Sequence, residues 1–430
     1  MQSKSRLNSV FWPVSIGIVL ILQILFPFRG WLVLFIGLGS AFCIAFFWAR
    51  AMRKSLSLER ETRFGWAQVG DIIEERFRLV NKSSFPALWI EMVDHSTIPG
   101  DSLSRATGVG GRSTNEWIAH QVCARRGVYT LGPTTLRTGD PFGIFTIQIE
   151  HSAQANILVT PPVVPLPTIQ VASGGRSGEG RPSRQSIDQS ISTTGVREYV
   201  PGDTLRWVHW RTTARRDSLY VRTFEHTPAS DWWILLDLDR RVQVGSGNQS
   251  TEEIGVILAA SLASQGLKSG IAVGLVTTGQ DLVWLPPQPG EGQRWEILQT
   301  LARVTPGDFS LAALLTNAGQ DFHSRISLVI ITPSMEQAWL DEITHLLWRG
   351  VVPTILLLDP AAFASAPSAG PFKAALDDLD VANYLITPAL VESFISGKNQ
   401  PENAWDWRIL PTGKAVPVQK PKDLAWKSFG

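Results

Sequence analysis

Two nearly unbroken apolar stretches open the chain, Val10 to Phe28 and Trp31 to Ala49, parted only by Arg29 and Gly30. Each is close to the roughly 20 residues that a helix needs to cross the hydrocarbon layer. A helix pairs its backbone groups internally, so both stretches are expected to sit in lipid as an antiparallel hairpin over 10–28 and 31–49, behind a short N-terminal segment, 1–9. A signal peptide is the poorer reading, because no small-residue cleavage site follows the first stretch and a second of full length comes at once. From there to residue 160 the pattern shortens. Ile72 to Val80, Leu88 to Val93, Trp117 to Ala124, Gly127 to Leu131 and Ile144 to Glu150 read as strands, parted by turn-rich segments such as Asn81-Lys82-Ser83-Ser84. Their near-regular spacing predicts a β-sandwich over 56–160.

Beyond residue 231, apolar runs alternate with helix-length segments. Strands are expected at Trp232 to Leu238, Ile271 to Thr277, Ile326 to Thr332, Val352 to Leu358 and Tyr384 to Thr387. Ser250-Thr251-Glu252-Glu253 has capping-box spacing and opens a helix running to about Gly266. Further helices fit Glu291 to Arg303 and Met335 to Trp348. This alternation predicts a parallel sheet covered on both faces over 231–390, followed by a tail, 391–430. The fold class is α+β multidomain: hairpin, sandwich, then a Rossmann-like α/β domain. Between the last two, residues 171–192 turn to Gly, Ser, Arg and Gln and read as a flexible loop. No Gly-Lys-Ser/Thr follows those glycines and no buried strand leads into them, which argues against a phosphate loop.

Charge adds an orientation. Lys4 and Arg6 precede the first apolar stretch, and Arg50, Arg53 and Lys54 follow the second. The excess of cations at both ends predicts a two-pass cell-membrane protein in contact with the lipid bilayer, its soluble domains cytoplasmic. Over all 430 residues the formal charge is only +1, so no chain-wide attraction to nucleic acid is expected. Cys43 and Cys123 lack the neighbours of a disulfide framework or a metal site.

The chemistry concentrates in 193–230. Pro201-Gly202 makes a turn, Asp203 can cap a helix starting at Thr204, and Arg206, Trp210 and Ala214 would then share one face with Trp207 and Arg211 on the next. Guanidinium groups interleaved with aromatic rings can stack, or grip a carboxylate or phosphate. The candidate binding residues are Arg197, Glu198, Tyr199, Pro201, Gly202, Asp203, Arg206, Trp210, Arg211 and Arg215. The competing reading makes the segment a clamp, its arginines ion-paired with Glu198, Asp203 and Asp217 to join sandwich to α/β domain. No catalytic residue is assigned. His209 has no evident partner, and His95, His120 and His151 lack metal-ligand spacing.

The run from Arg197 to Arg222, with Arg197-Glu198-Tyr199, Pro201-Gly202-Asp203 and Trp210-Arg211 within it, closely resembles the signature segment of the bacterial DUF58 family. A second element of that family, an Arg-Gly-x-Tyr strand and an Asp-Pro-Phe-Gly turn, is similar to Arg126-Gly127-Val128-Tyr129 and Asp140-Pro141-Phe142-Gly143. The resemblance implies a von Willebrand factor A-like domain on the C-terminal side. It also implies, as partners, MoxR-type AAA+ ATPases and transglutaminase-like membrane proteins. A-type domains place a metal ligand pattern Asp-x-Ser-x-Ser after their first strand. Here the stretch is Asp237-Leu238-Asp239-Arg240-Arg241, with Pro333 where a later ligand would stand. Asp237 and Asp239 are the metal candidates, but two adjacent arginines compete for them, so no metal and no cofactor is expected. The expected function is a membrane-anchored interaction or adaptor module that works with an AAA+ ATPase in assembly of membrane or envelope complexes. The alternatives are an envelope-associated hydrolase or a nucleic-acid-binding protein using the Arg/Trp segment.

Overall fold

The computed structural model describes residues 2–63, 65–100, 102–172, 193–199, 208–216, 218–224, 231–318, 322 and 326–395, with the backbone of 406–409, 415–418 and 427–428. It is a mixed α/β protein with several sheets and one N-terminal helix long and apolar enough to cross a membrane. Two compact units form: residues 1–162 with 298–303 and 397–430, and residues 163–297 with 304–396. The expected loop over 171–192 lies, from residue 173 on, outside the described residues.

The first unit begins with a strand, β1 (Gln2–Leu7), in the segment expected to be a plain N-terminus. Helices α1 (Phe11–Leu25) and α2 (Arg29–Ser55) follow. The apolar boundaries shift accordingly. α1 has 15 residues, short of a full span, and α2 has 27, because Arg29 and Gly30 start the second helix and the cationic stretch past Ala49 continues it. The chain then enters β2 (Leu56–Thr62), β3 (Trp66–Gln68), β4 (Ile72–Asn81), β5 (Ala87–Asp94), β6 (Arg105–Val109), β7 (Ser113–Val122), β8 (Gly127–Leu131), β9 (Thr134–Gly139), β10 (Phe145–His151) and β11 (Ala155–Thr160). One sheet runs β1-β10-β9-β5-β6, a second contains β2-β4-β7, and a third is β3-β11-β8. Leu56, Leu58, Phe77 and Leu79 of the second sheet share a core with Ile90, Met92, Leu136, Ile147 and Ile149 of the first, and Ala49 and Met52 of α2 join it.

Period-2 alternation also sends charge inward. Arg60 follows Leu56 and Leu58 on the buried face of β2, and Glu75 lies between Ile73 and Phe77 on that of β4. The Arg60 guanidinium donates to Glu75 Oε2 at 2.6 Å, Asp94 Oδ1 at 2.6 Å and Thr134 Oγ1 at 3.1 Å, so the buried cation is held by both sheets. The two family-like motifs of this unit also close local structure. Asp140 accepts from the amides of Phe142, Ile144 and Phe145, fixing the turn in which Gly143 adopts φ +67°. The Tyr129 hydroxyl donates to the Arg126 carbonyl at 3.0 Å.

The second unit contains β12 (Thr193–Glu198), α3 (Trp210–Arg216) and β13 (Tyr220–Phe224), then β14 (Trp232–Leu236), α4 (Thr251–Lys268), β15 (Val273–Thr277), β16 (Val283–Gln288), α5 (Glu291–Arg303, of which residues 298–303 are counted with the first unit), α6 (Leu311–Ala318), β17 (Ser327–Thr332), α7 (Gln337–Trp348), β18 (Val352–Leu358), α8 (Pro360–Phe363), α9 (Gly370–Asp378), β19 (Ala382–Ile386) and α10 (Pro388–Ile395). Its sheet has the order β16-β15-β14-β17-β18-β19. The expected all-parallel sheet is corrected at one edge, where β16 runs antiparallel to β15. Pro286 and Pro287 lie in β16 and lack the donors that a central strand needs, which suits them to an edge. Ser250 Oγ caps α4 by accepting from the Glu253 amide at 3.2 Å. Most of α4 is buried, and a Cβ on its Gly266 would fall 2.7 Å from the Trp232 ring. The expected tail contains a hairpin, β20 (Asp406–Ile409) with β21 (Ala415–Val418), and β22 (Lys427–Ser428), which adds to β2 in the first unit.

Candidate functional site

In the local order of the α/β sheet, strand 1 (β14) lies between strand 2 (β15) and strand 4 (β17), so the connections leave in opposite directions on either side of the β14/β17 boundary. Such a switch point opens a crevice at the carboxyl ends of the strands, where sites in open α/β sheets form. Here that position is taken by Asp237, directly after β14, and Thr332, the last residue of β17.

Asp237 is buried, and its carboxylate is fully engaged. Thr332 Oγ1 donates to Oδ2 at 2.6 Å, the Asp239 amide donates to Oδ1 at 3.0 Å, and Thr278 Oγ1 reaches Oδ1 at 3.3 Å. Burial raises its pKa from 3.8 to about 6, the three hydrogen bonds pulling the other way. The same Thr278 hydroxyl accepts from the Leu238 amide at 2.9 Å, and Thr332 Oγ1 accepts from the Ser334 amide at 2.9 Å, so two threonines tie three strand ends to one carboxylate.

Asp239 is treated differently. Its side chain is 2% exposed, while that of Arg241 is 59% exposed. Arg241 Nε donates to both carboxylate oxygens, at 3.0 and 3.2 Å, and Nη2 closes the fork on Oδ2. Burial alone would raise the Asp239 carboxyl, but the Arg241 hydrogen bonds and charge outweigh it and hold the pKa below the ordinary value. The loop beneath is close-packed. The Arg240 amide donates to the Gly307 carbonyl at 2.7 Å, the Gly307 amide to the Leu238 carbonyl at 3.0 Å, and a Cβ on Gly307 would collide with the Gly279 backbone. Arg240 extends outward and meets Asp308 at 3.5 Å.

A divalent cation needs several open oxygen ligands. Arg241, expected from sequence to compete for these carboxylates, holds both oxygens of Asp239, and those of Asp237 accept from hydroxyls and an amide. The residues therefore do not fit an A-type metal site. The arrangement instead presents a guanidinium held by Asp239 on a hydrogen-bonded loop, able to meet an incoming carboxylate or phosphate with the donors that Asp239 leaves free.

The signature segment is only partly described. β12 and β13 form an antiparallel ribbon with Glu198 opposite Tyr220 and Arg197 opposite Val221. Val208 is buried and bridges to Val221, and the His209 amide donates to the Tyr220 carbonyl at 2.7 Å. A continuous helix from Thr204 is thereby corrected: the extended bridge at Val208 interrupts it, and the helix starts at Trp210. The expected sharing of one face by Arg206 and Trp210 falls on Arg206, outside the described residues. Pro201, Gly202, Asp203 and Arg206 lie outside the described residues. Tyr199 is half-buried and its amide donates to the Leu219 carbonyl at 2.7 Å. Trp210 is 68% exposed, and Arg211 and Arg215 are exposed on the same short helix. His209 Nδ1 is 2.7 Å from Thr212 Oγ1, a local contact at the helix start.

Residues 195–385 match the family model described as protein of unknown function DUF58. The DUF58 match thus covers both the signature ribbon and the α/β sheet with its switch point. The uncharacterized protein YeaD of Bacillus subtilis is 26% identical over 261 residues, covering 58% of this chain and 62% of that protein. An uncharacterized protein of Mycobacterium tuberculosis is 25% identical over 209 residues, covering 46% of this chain and 64% of its own. The chain spans less than two thirds of the length of these relatives. Among solved structures, proximal thread matrix protein 1 from the mussel byssus aligns over 30% of this chain and 37% of its own, at 13% identity and a TM-score of 0.25, too low to support any inference.

Proposed function

We propose that this chain is a two-pass, membrane-anchored interaction module whose cytoplasmic, von Willebrand factor A-like domain binds an acidic surface of a partner protein, a MoxR-type AAA+ ATPase, in assembly of membrane or envelope complexes. The observation that carries the reading is the Asp239–Arg241 fork at the switch point. A guanidinium aligned by a buried carboxylate loses little freedom on binding, so it suits recognition of a carboxylate. Strands on either side of the hairpin support the anchor: β1 enters α1, α2 leads into β2, and both strands belong to the same compact unit. Anchoring raises the effective concentration of partners already at the membrane.

Affinity purification of tagged full-length protein from solubilised membranes, with and without ATP, tests the reading by mass spectrometry of what is retained. An AAA+ ATPase recovered with the wild type and lost with Arg241→Glu supports it. Equal recovery with Arg241→Glu, or recovery of no ATPase by folded protein, overturns it.

A further inference from the structure

Cations on the outer faces of the sandwich are mostly matched by acids. Arg63 meets Glu74, Arg76 meets Glu61 and Glu116, Arg78 meets Glu59 and Glu116, and Arg137 meets Glu91. The base of α2 breaks that rule. Arg50, Arg53 and Lys54 from its last turns and Lys82 from the turn after β4 form no ion pair among the described residues. They converge on a groove made of two adjoining cavities, of about 360 and about 190 Å³, that share Ser3, Arg53 and Lys54. No acidic side chain lines either one among the described residues.

Two elements outside the helix build this groove. β1 turns Ser3 and Ser5 toward it, and Ser3 Oγ accepts from Arg53 Nε at 3.1 Å, while Lys4 and Arg6 alternate to the opposite face. The Lys82 amide donates to the Ser55 carbonyl at 3.0 Å, which pins the strand turn beside the helix end. Cations at a helix C-terminus are favoured by the helix dipole and by the topology of membrane proteins, which accounts for Arg50, Arg53 and Lys54 as a group. It does not account for Lys82 or for the hydroxyls. The dipole contributes roughly half a negative charge at that end, against which four side chains bring full positive charges, so the groove attracts anions. Its upper wall is apolar: Phe46 and Ala49 of α2, with the Phe46 and Phe145 rings 6.1 Å apart, continue into the exposed apolar face of the helix at Ile44 and Phe47.

We propose that this groove binds the headgroup of an anionic phospholipid, its phosphodiester held by Arg50, Arg53, Lys54 and Lys82 and its acyl chains lying along α2. The inference rests on the reading of α2 as membrane-spanning. A basic recess at the foot of an apolar helix, with hydroxyls beside the charges and hydrocarbon-compatible side chains above, fits a charged headgroup attached to acyl chains better than it fits a free anion.

Carbonate extraction of membranes containing the full chain comes first. Release into the supernatant overturns both the anchor and this site, whereas retention in the pellet leaves the lipid site to be judged alone. Detergent-solubilised full-length protein is then titrated with phosphatidylglycerol, phosphatidylcholine or inorganic phosphate, reading thermal unfolding and lipid retention by native mass spectrometry. Phosphatidylglycerol is expected to raise the unfolding temperature and remain bound, with phosphatidylcholine and inorganic phosphate doing neither. Arg53→Gln and Lys82→Gln should each lower apparent affinity about fivefold, and Lys4→Gln, on the other face of β1, should leave it unchanged. Equal retention of the two lipids, full effect from inorganic phosphate, or wild-type affinity in both groove variants would overturn the proposal.

Discussion

Two arginines grip carboxylates in this protein, and their surroundings set them apart. Arg60 lies between two sheets with no exposed side-chain surface, facing Glu75 and Asp94, which are also buried. Arg241 grips an equally buried Asp239 from the outside. Two carboxylates share one guanidinium in the first case, and burial still pushes Glu75 above its ordinary pKa despite the Arg60 hydrogen bond and charge. A buried network of this kind is costly to assemble and more costly to break, because removing one member strands the others in low dielectric. An exposed fork on one buried carboxylate holds a loop in place while leaving its cation in solvent. The first arrangement locks sheets together, and the second displays charge.

Arg60→Ala should have the largest effect, a loss of about 3–5 kcal/mol in denaturant unfolding of the full chain. A near-neutral result would mean that water or a neighbouring group replaces the guanidinium. Asp237 gives the next effect and a pH signature. Its pKa rises from 3.8 to about 6 on folding, so its contribution is fully present below about pH 3.8 and lost as pH rises through about 6. That amounts to roughly 3 kcal/mol between the two limits at 1.36 kcal/mol per pH unit. Asp237→Asn should abolish this part of the slope when stability is followed from pH 4 to 8, and an unchanged slope would show that Asp237 does not titrate there.

Gly266→Ala should cost about 1–3 kcal/mol in the same unfolding measurement, as a methyl group driven into the Trp232 ring outweighs the gain in helix propensity. Wild-type stability in this variant would show that the helix can lift off the strand cheaply. Arg241→Gln should have the smallest effect. The Asp239 pKa, held low by Arg241, corresponds to stability present above the ordinary carboxylate pKa and lost as pH falls through the folded value. The variant should shift that titration upward, seen by NMR of the Asp239 side chain, and make the acid limb of unfolding shallower.

Much of this architecture was legible where one force dominated. The capping serine at 250, the apolar strands from Trp232 and Val352, and the alternation along Ile72–Asn81 all report burial on a fixed period. The strand over Leu56–Thr62 and the inward positions of Arg60 and Glu75 were not read from the sequence, which does not say that two charges face each other across strands. β1 went unseen because Gln2-Ser3-Lys4-Ser5-Arg6 has no apolar face to betray an edge strand. The helix placed at Thr204 followed a good local cap, yet Val208 pairs with Val221 and tertiary pairing overrides the local preference. At the switch point the two aspartates were visible, whereas the threonines that complete their shell come from two later strand ends, at 278 and 332, far from the aspartates in sequence.

The pairing of residues 2–7 with 145–150 sets an order of events. The edge of β10 is completed by a strand that precedes both apolar helices, so that strand must wait through synthesis of the helix pair and nine later strands before it finds its partner. On the anchor proposed above, the strand would already be tethered beside the membrane when β10 appears, and the sheet would close by a short local search. Without that anchor the strand would hang on a long loose tether and the edge of β10 would stay open, a template for pairing with another chain, until the ends met.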